Sequence, residues 1–170
     1  MAHEGDRPAG RGEIRLHVEG NVGELDVAAL QRAVNSFAEL LRSTLPVRWV
    51  LSDLSLSSIT TAARPADDQL DGIDVDAEFE RIARGFDVLS RTAEAPDRWT
   101  DGMLQGVGAL GDVLDLPGVR GITIALGGGR PVPLTRDTGR NARSALEGGP
   151  ESLGAVTGTV DRFFLRDNHH

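Results

Sequence analysis

Four arginines in the last third of the chain have the type and spacing for anion recognition. Arg136, Arg140 and Arg143 fall at i, i+4 and i+7, which is one face if residues 136–146 are helical. Arg130 lies in the Gly-rich turn just before them. A guanidinium grips phosphate or carboxylate through a planar two-pronged fork. The four residues therefore suit a phosphate-bearing ligand, nucleic acid included, or an acidic protein surface. An ordinary solvated helix face is the plainer reading of the same spacing.

Other motifs carry less. Gly106-Val107-Gly108-Ala109-Leu110-Gly111 matches G-x-G-x-x-G, but a dinucleotide site needs a strand before it and an acid ~20 residues later. Here residues 98–105 read as helix and residues 129–133 carry no acid, so small-residue helix packing explains the glycines better. Asp67, Asp71, Gly72 and Glu78 fall at positions 1, 5, 6 and 12 of an EF-hand-like loop. Position 3 is Gln69, and Pro65 with a strand replaces the entering helix, so a solvated acidic loop is the simpler reading. Asp167, His169 and His170 sit together at one end, but adjacent histidines rarely point the same way. His3 lies at the other end and His17 on a strand, and G-x-S-x-G is absent. No catalytic, metal or cofactor site is expected from these residues. A carboxylate pair of the glycosidase kind remains open as an alternative, although aromatics are only 4%, too few for a sugar-stacking cleft.

Composition narrows the chemistry further. The chain has 170 residues, the size of one domain, or of one domain and a fragment of another. Its 39% hydrophobic and 26% charged residues suit a globular core. There is no Cys, no Tyr and no Lys, and all 18 basic residues are Arg. Thiol nucleophiles, disulfides, thiolate metal sites, Schiff-base lysines and the P-loop lysine are thereby excluded. No apolar run reaches the ~18–20 residues of a membrane span and no export signal is visible, so a cytoplasmic location is expected.

The net charge of −8 is uneven. Residues 64–118 hold thirteen acids and five arginines, whereas residues 119–170 hold five acids and seven arginines. The acidic block repels a phosphate backbone, which ranks a protein partner above nucleic acid.

The elements that must position these residues follow from periodicity. Residues 1–12 read as a disordered arm. Ile14, Leu16 and Val18 alternate in a half-buried strand. Asp26 caps a helix carrying Val27, Leu30, Val34, Phe37 and Leu41, ended by Pro46. Val47, Trp49 and Leu51 alternate, as do Leu54 and Leu56, and the change of parity predicts a bulge near Ser52-Asp53. Residues 59–63 form the returning strand, and residues 64–74 an acidic loop. A second helix carries Val75, Phe79, Ile82, Phe86 and Leu89. A third starts at Pro96-Asp97 and carries Trp99, Met103, Val107, Leu110 and Leu114, with Trp49 and Trp99 read as core. Each of its interior glycines costs up to ~1 kcal/mol unless close packing requires a small residue. Ile122, Ile124 and Leu126 alternate in a strand that Gly127-Gly128-Gly129 turns into Val132–Leu134. Asp137 or Thr138 caps a short helix to Leu146, and residues 153–165 read as a last strand.

The order β-α-β-β-α-α-β-β-(α)-β gives an α+β fold with a largely antiparallel sheet and about three amphipathic helices on one face. The division is an arm at 1–12, an α+β domain at 13–147, and a linker and strand at 148–170.

Two stretches carry a resemblance. Arg48-Trp49-Val50-Leu51-Ser52-Asp53-Leu54-Ser55-Leu56-Ser57-Ser58 and Leu153-Gly154-Ala155-Val156-Thr157-Gly158-Thr159-Val160 resemble an uncharacterised family of bacterial proteins. In its longer members an α+β domain precedes a G-x-V-x-G-x-V strand that opens a small β-barrel. The resemblance implies that residues 148–170 begin such a second domain, which this chain leaves incomplete; it assigns no function and no site residue. A lone strand at 153–165 with Phe163 and Phe164 must pair with the sheet, pair with another copy as a homodimer, or stay disordered.

The expectation is a non-catalytic regulatory domain that binds a protein partner, as antitoxin or immunity proteins do. The acidic block would steer a basic partner toward it. Phosphate or nucleic-acid contact through the arginines and a carboxylate-based enzyme are the alternatives.

Overall fold

A computed structural model describes residues 12–148 except 22, 56–58, 67–69 and 71. Its elements run β1 (Ile14–Gly20), α1 (Val27–Thr44), β2 (Trp49–Ser55), β3 (Thr60–Pro65), α2 (Val75–Leu89), α3 (Asp101–Val113), β4 (Val119–Leu126), β5 (Val132–Leu134) and α4 (Arg136–Glu147). The fold is α+β, in the order expected through α4. The expected arm and last strand lie outside the described residues, as do the EF-hand-like positions Asp67 and Asp71 and the terminal histidines.

The five strands form one antiparallel sheet in the order β2-β3-β1-β4-β5. Alternation along β1 sends Ile14, Leu16 and Val18 to the helix side, opposite Ala63 of β3 and Leu126, Ile124 and Ile122 of β4. These residues join Phe37 and Leu40 of α1, Phe79, Ile82 and Phe86 of α2, Leu110 of α3 and Ala142 of α4 in one buried cluster. The four helices thus share one face of the sheet. The expected bulge is present, as the pairing of β2 with β3 shifts between Leu51 and Asp53.

Asp26 caps α1 by accepting from the Ala28 N–H at 3.0 Å. The buried face of α1 matches the expected stripe at Phe37 and Leu41 and departs from it toward the start of the helix. Ala29, Ala33, Phe37 and Leu40 are buried, while Val27 is 78% exposed. Ala29 and Ala33 take the buried positions while Leu30 and Val34 are only half-buried, and farther along the helix Gly106 lets the α3 backbone approach Leu40.

Two helix starts also differ. The third helix begins at Asp101 rather than at Pro96-Asp97, because the Thr100 hydroxyl accepts from the Met103 N–H at 3.3 Å and Arg98 turns the chain at φ 59°. Trp99 therefore precedes the helix, where its ring meets Phe86 edge-on at 5.3 Å. The fourth helix is capped by Thr135 rather than by Asp137 or Thr138; its hydroxyl accepts from the Thr138 N–H at 3.1 Å.

The glycines of α3 are packing residues. A Cβ on Gly106 would stand 3.1 Å from the Leu40 backbone of α1, and one on Gly111 would stand 2.7 Å from Gly139 Cα of α4. Leu40 and Gly139 are the two surfaces that press α3 from either side. The G-x-G-x-x-G spacing therefore serves contact between three helices, and these glycines lie inside a helix preceded by α2 rather than by a strand.

Candidate functional site

The structure turns two of the four singled-out arginines inward to α3. Arg136 forms an ion pair with Asp115 and donates to the Leu114 carbonyl at 2.9 Å. Arg143 pairs with Asp112 and donates to the Gly108 carbonyl at 2.9 Å. Arg140 pairs with Asp137, one turn earlier on its own helix, at 3.1 Å. The three share α4, as their spacing predicts, and each meets a carboxylate of this same chain. Arg130 stands exposed at the end of the Gly127-Gly128-Gly129 turn, apart from that row.

These pairings divide the acidic block as well. Asp112 and Asp115 hold α4 to α3, Glu78 and Arg81 pair within α2 at 2.8 Å, and Asp87 and Arg91 pair at 2.7 Å. Arg81 also donates to the Arg98 carbonyl at 3.1 Å, which ties α2 to the turn before α3. Glu94, Asp97 and Asp101 remain exposed on the connection between those helices.

A cleft that the sequence reading passed over lies at the start of α2. Asp74 caps this helix by accepting from the Ala77 N–H at 3.0 Å. Carboxylates at Asp76 and Glu78 in its first turn favour the positive end of the helix dipole. Asp76, Glu80 and Ala83 fall at i, i+4 and i+7, and with Phe79 they form one wall. Leu126, Gly127, Gly128 and Gly129 form the other wall of this opening of about 460 Å³.

Two features hold the cleft in place. Gly127 adopts φ 56°, a left-handed conformation that favours glycine, and its N–H donates to the Glu13 carbonyl at 2.7 Å. Phe79 is buried and stacks on Trp49 of β2, with centroids 6.5 Å apart and planes 15° apart. The floor is thus apolar while the rim carries carboxylates. Glu80 makes only a 3.9 Å contact with the exposed Arg84. A second opening of about 300 Å³, lined by Arg64, Pro65, Ile73 and Val75 among others, meets the first at Asp76.

Sequence reasoning treated Gly127-Gly128-Gly129 as a turn and Phe79 as core. The i, i+4 pair of acids on α2 was the available signal, but nothing in the sequence places it opposite the glycine turn. Among the described residues no group of three or more His, Asp or Glu is arranged to hold a metal ion. No protein-family model matches the chain, and no significant match to a curated protein or a solved structure is found.

Proposed function

We propose that this chain is a non-catalytic interaction domain that binds a basic protein partner, a regulatory role of the antitoxin or immunity kind. The cleft between α2 and the β4–β5 turn carries this reading. It pairs an apolar floor of Phe79, Ala83 and Leu126 with rim carboxylates at Asp76 and Glu80. A partner's Arg or Lys has the matching form, an apolar stem with a charged head. The net charge of −8 supports the reading by drawing a basic partner in before contact.

Trp49 stacks on the Phe79 floor and supplies a reporter for the test. A peptide of alternating Arg and Leu, titrated against the full chain, is expected to perturb the tryptophan fluorescence. Joint replacement Asp76→Asn with Glu80→Gln is expected to weaken binding at least about tenfold, or ~1.4 kcal/mol. Affinity unchanged by that replacement and by added salt would overturn the reading. So would tight binding of a phosphate-rich polymer that is lost on Arg140→Ala, since that result selects the arginine row.

A further inference from the structure

The face of the sheet turned away from the helices behaves as a covered face. By the strand register it carries Arg15 and His17 of β1, Thr60, Ala62 and Arg64 of β3, and Thr123 and Ala125 of β4. A solvated face of an antiparallel sheet is normally polar and open. Here Ala62 is 0% exposed, Ala125 3%, Thr60 4% and His17 9%, so the middle of the face is buried, while Thr123 is half-buried and Arg64 at the rim is exposed. The Arg15 side chain is only 12% exposed, although it stands in the middle strand. None of these residues belongs to the core cluster that the helices close. All four described helices lie on the other side, so their packing does not account for this burial.

The face also carries polar interactions. His17 Nδ1 and Thr60 Oγ1 lie 3.0 Å apart across the two strands. Arg15, His17, Thr60 and Arg64 each take part in a further polar interaction, and so does Ser55, which pairs with Thr60 in the register. A covering segment without a sheet of its own brings unsatisfied backbone N–H and C=O groups. Guanidinium, imidazole and hydroxyl groups beside small alanines meet that need, supplying partners while leaving room for a close approach.

We propose that the segment Leu153–Leu165 of this same chain docks on that face. It is the apolar part of the sequence beyond α4, with Leu153, Val156, Val160, Phe163, Phe164 and Leu165. Residues 1–11 offer only Met1, Ala2 and Ala9 as apolar side chains beside Pro8. From Gly148 to Leu153 an extended chain reaches about 17 Å. Crossing from the helix layer to a segment on the far face takes two layer spacings, about 20 Å, which the chain covers by Val156, about 26 Å of extended chain from Gly148. So short a tether holds the segment at an effective concentration on the order of mM, which favours its own sheet over that of a second copy.

The absence of cysteine makes the test clean. Single thiols are introduced in the full chain as Ala62→Cys, Ala125→Cys and, as an exposed control on β2, Leu54→Cys. Labelling by a disulfide reagent is expected to be on the order of 100-fold slower at 62 and 125 than at 54. Adding Phe163→Asp with Phe164→Asp is expected to remove at least about tenfold of that protection. Equal labelling at all three sites overturns the proposal, and so does protection untouched by the two aspartates. Protection that rises with protein concentration alongside a dimeric mass also overturns it and assigns the face to a second copy. Where the aspartates prevent folding, the folded full chain is cut instead at a protease site placed in residues 149–151. Retention of the released segment with thiol protection intact supports the docking, and its departure with protection unchanged refutes it.

Discussion

The α3–α4 seam and the cleft at α2 both place carboxylates beside glycine, and they put the two to opposite uses. In the seam, Gly111 and Gly139 bring two helix backbones together, and Asp112 and Asp115 are answered by Arg143 and Arg136 across the contact. In the cleft, Gly127, Gly128 and Gly129 keep one wall low, and Asp76 and Glu80 stand on the rim of an opening. The difference is one of closure. Where glycine meets glycine, space disappears and charges are matched internally. Where a glycine turn faces an amphipathic helix, space remains and the charges face outward. Net charge counts both sets alike, although Asp76 and Glu80 line an opening and Asp112 and Asp115 bridge a packed contact.

Forcing the seam open is the most severe way to break this contrast. Gly111→Val places branched carbon where a Cβ already falls 2.7 Å from Gly139 Cα, and both helix backbones must move. Urea unfolding is expected to show a loss of about 3 kcal/mol, and an unchanged midpoint would mean that the seam is not close-packed. The cleft should behave otherwise. Gly128→Ala meets nothing within 4 Å and is expected to leave the unfolding midpoint within about 0.5 kcal/mol of the parent.

Smaller effects sharpen the comparison. Arg143→Ala removes a hydrogen bond to the Gly108 carbonyl together with an exposed ion pair, and about 1 kcal/mol is expected in thermal or urea unfolding. Arg140→Ala removes only a surface contact within one helix turn, so about 0.3 kcal/mol is expected, fading further in high salt. Equal losses at the two positions would show that α4 gains nothing from reaching across to α3. Asp76→Asn with Glu80→Gln, which removes one first-turn carboxylate, is expected to cost about 0.5 kcal/mol in stability while weakening the peptide. A large stability loss there would make the rim acids structural.

Much of the architecture was legible in the chain, because it rests on local periodicity. The stripe Val75, Phe79, Ile82, Phe86 and Leu89 predicted α2, with 79, 82, 86 and 89 buried as expected. Alternation at Ile122, Ile124 and Leu126 predicted β4, and a parity change predicted the β2 bulge. Errors arose where a non-local contact overrode the pattern. Val27 and Leu30 have the right spacing for a core face, but Ala29 and Ala33 take the buried positions at that end of the helix. Thr100 and Thr135 were passed over: the third helix was started at Pro96-Asp97 and the fourth capped by Asp137 or Thr138, since several neighbouring residues could serve and only the chain direction selects one.

By itself the sequence determined the element types and their order, the excluded chemistries and the location of charge along the chain. Each of these depends on residues within a few positions of one another. Tertiary structure alone decided which charges meet across elements. Arg136 and Arg143 lie more than twenty residues from Asp115 and Asp112, and Asp76 lies far along the chain from the Gly127 turn. An ion pair or a cleft wall forms only where packing brings two surfaces to within a few ångströms, and no local pattern encodes that distance.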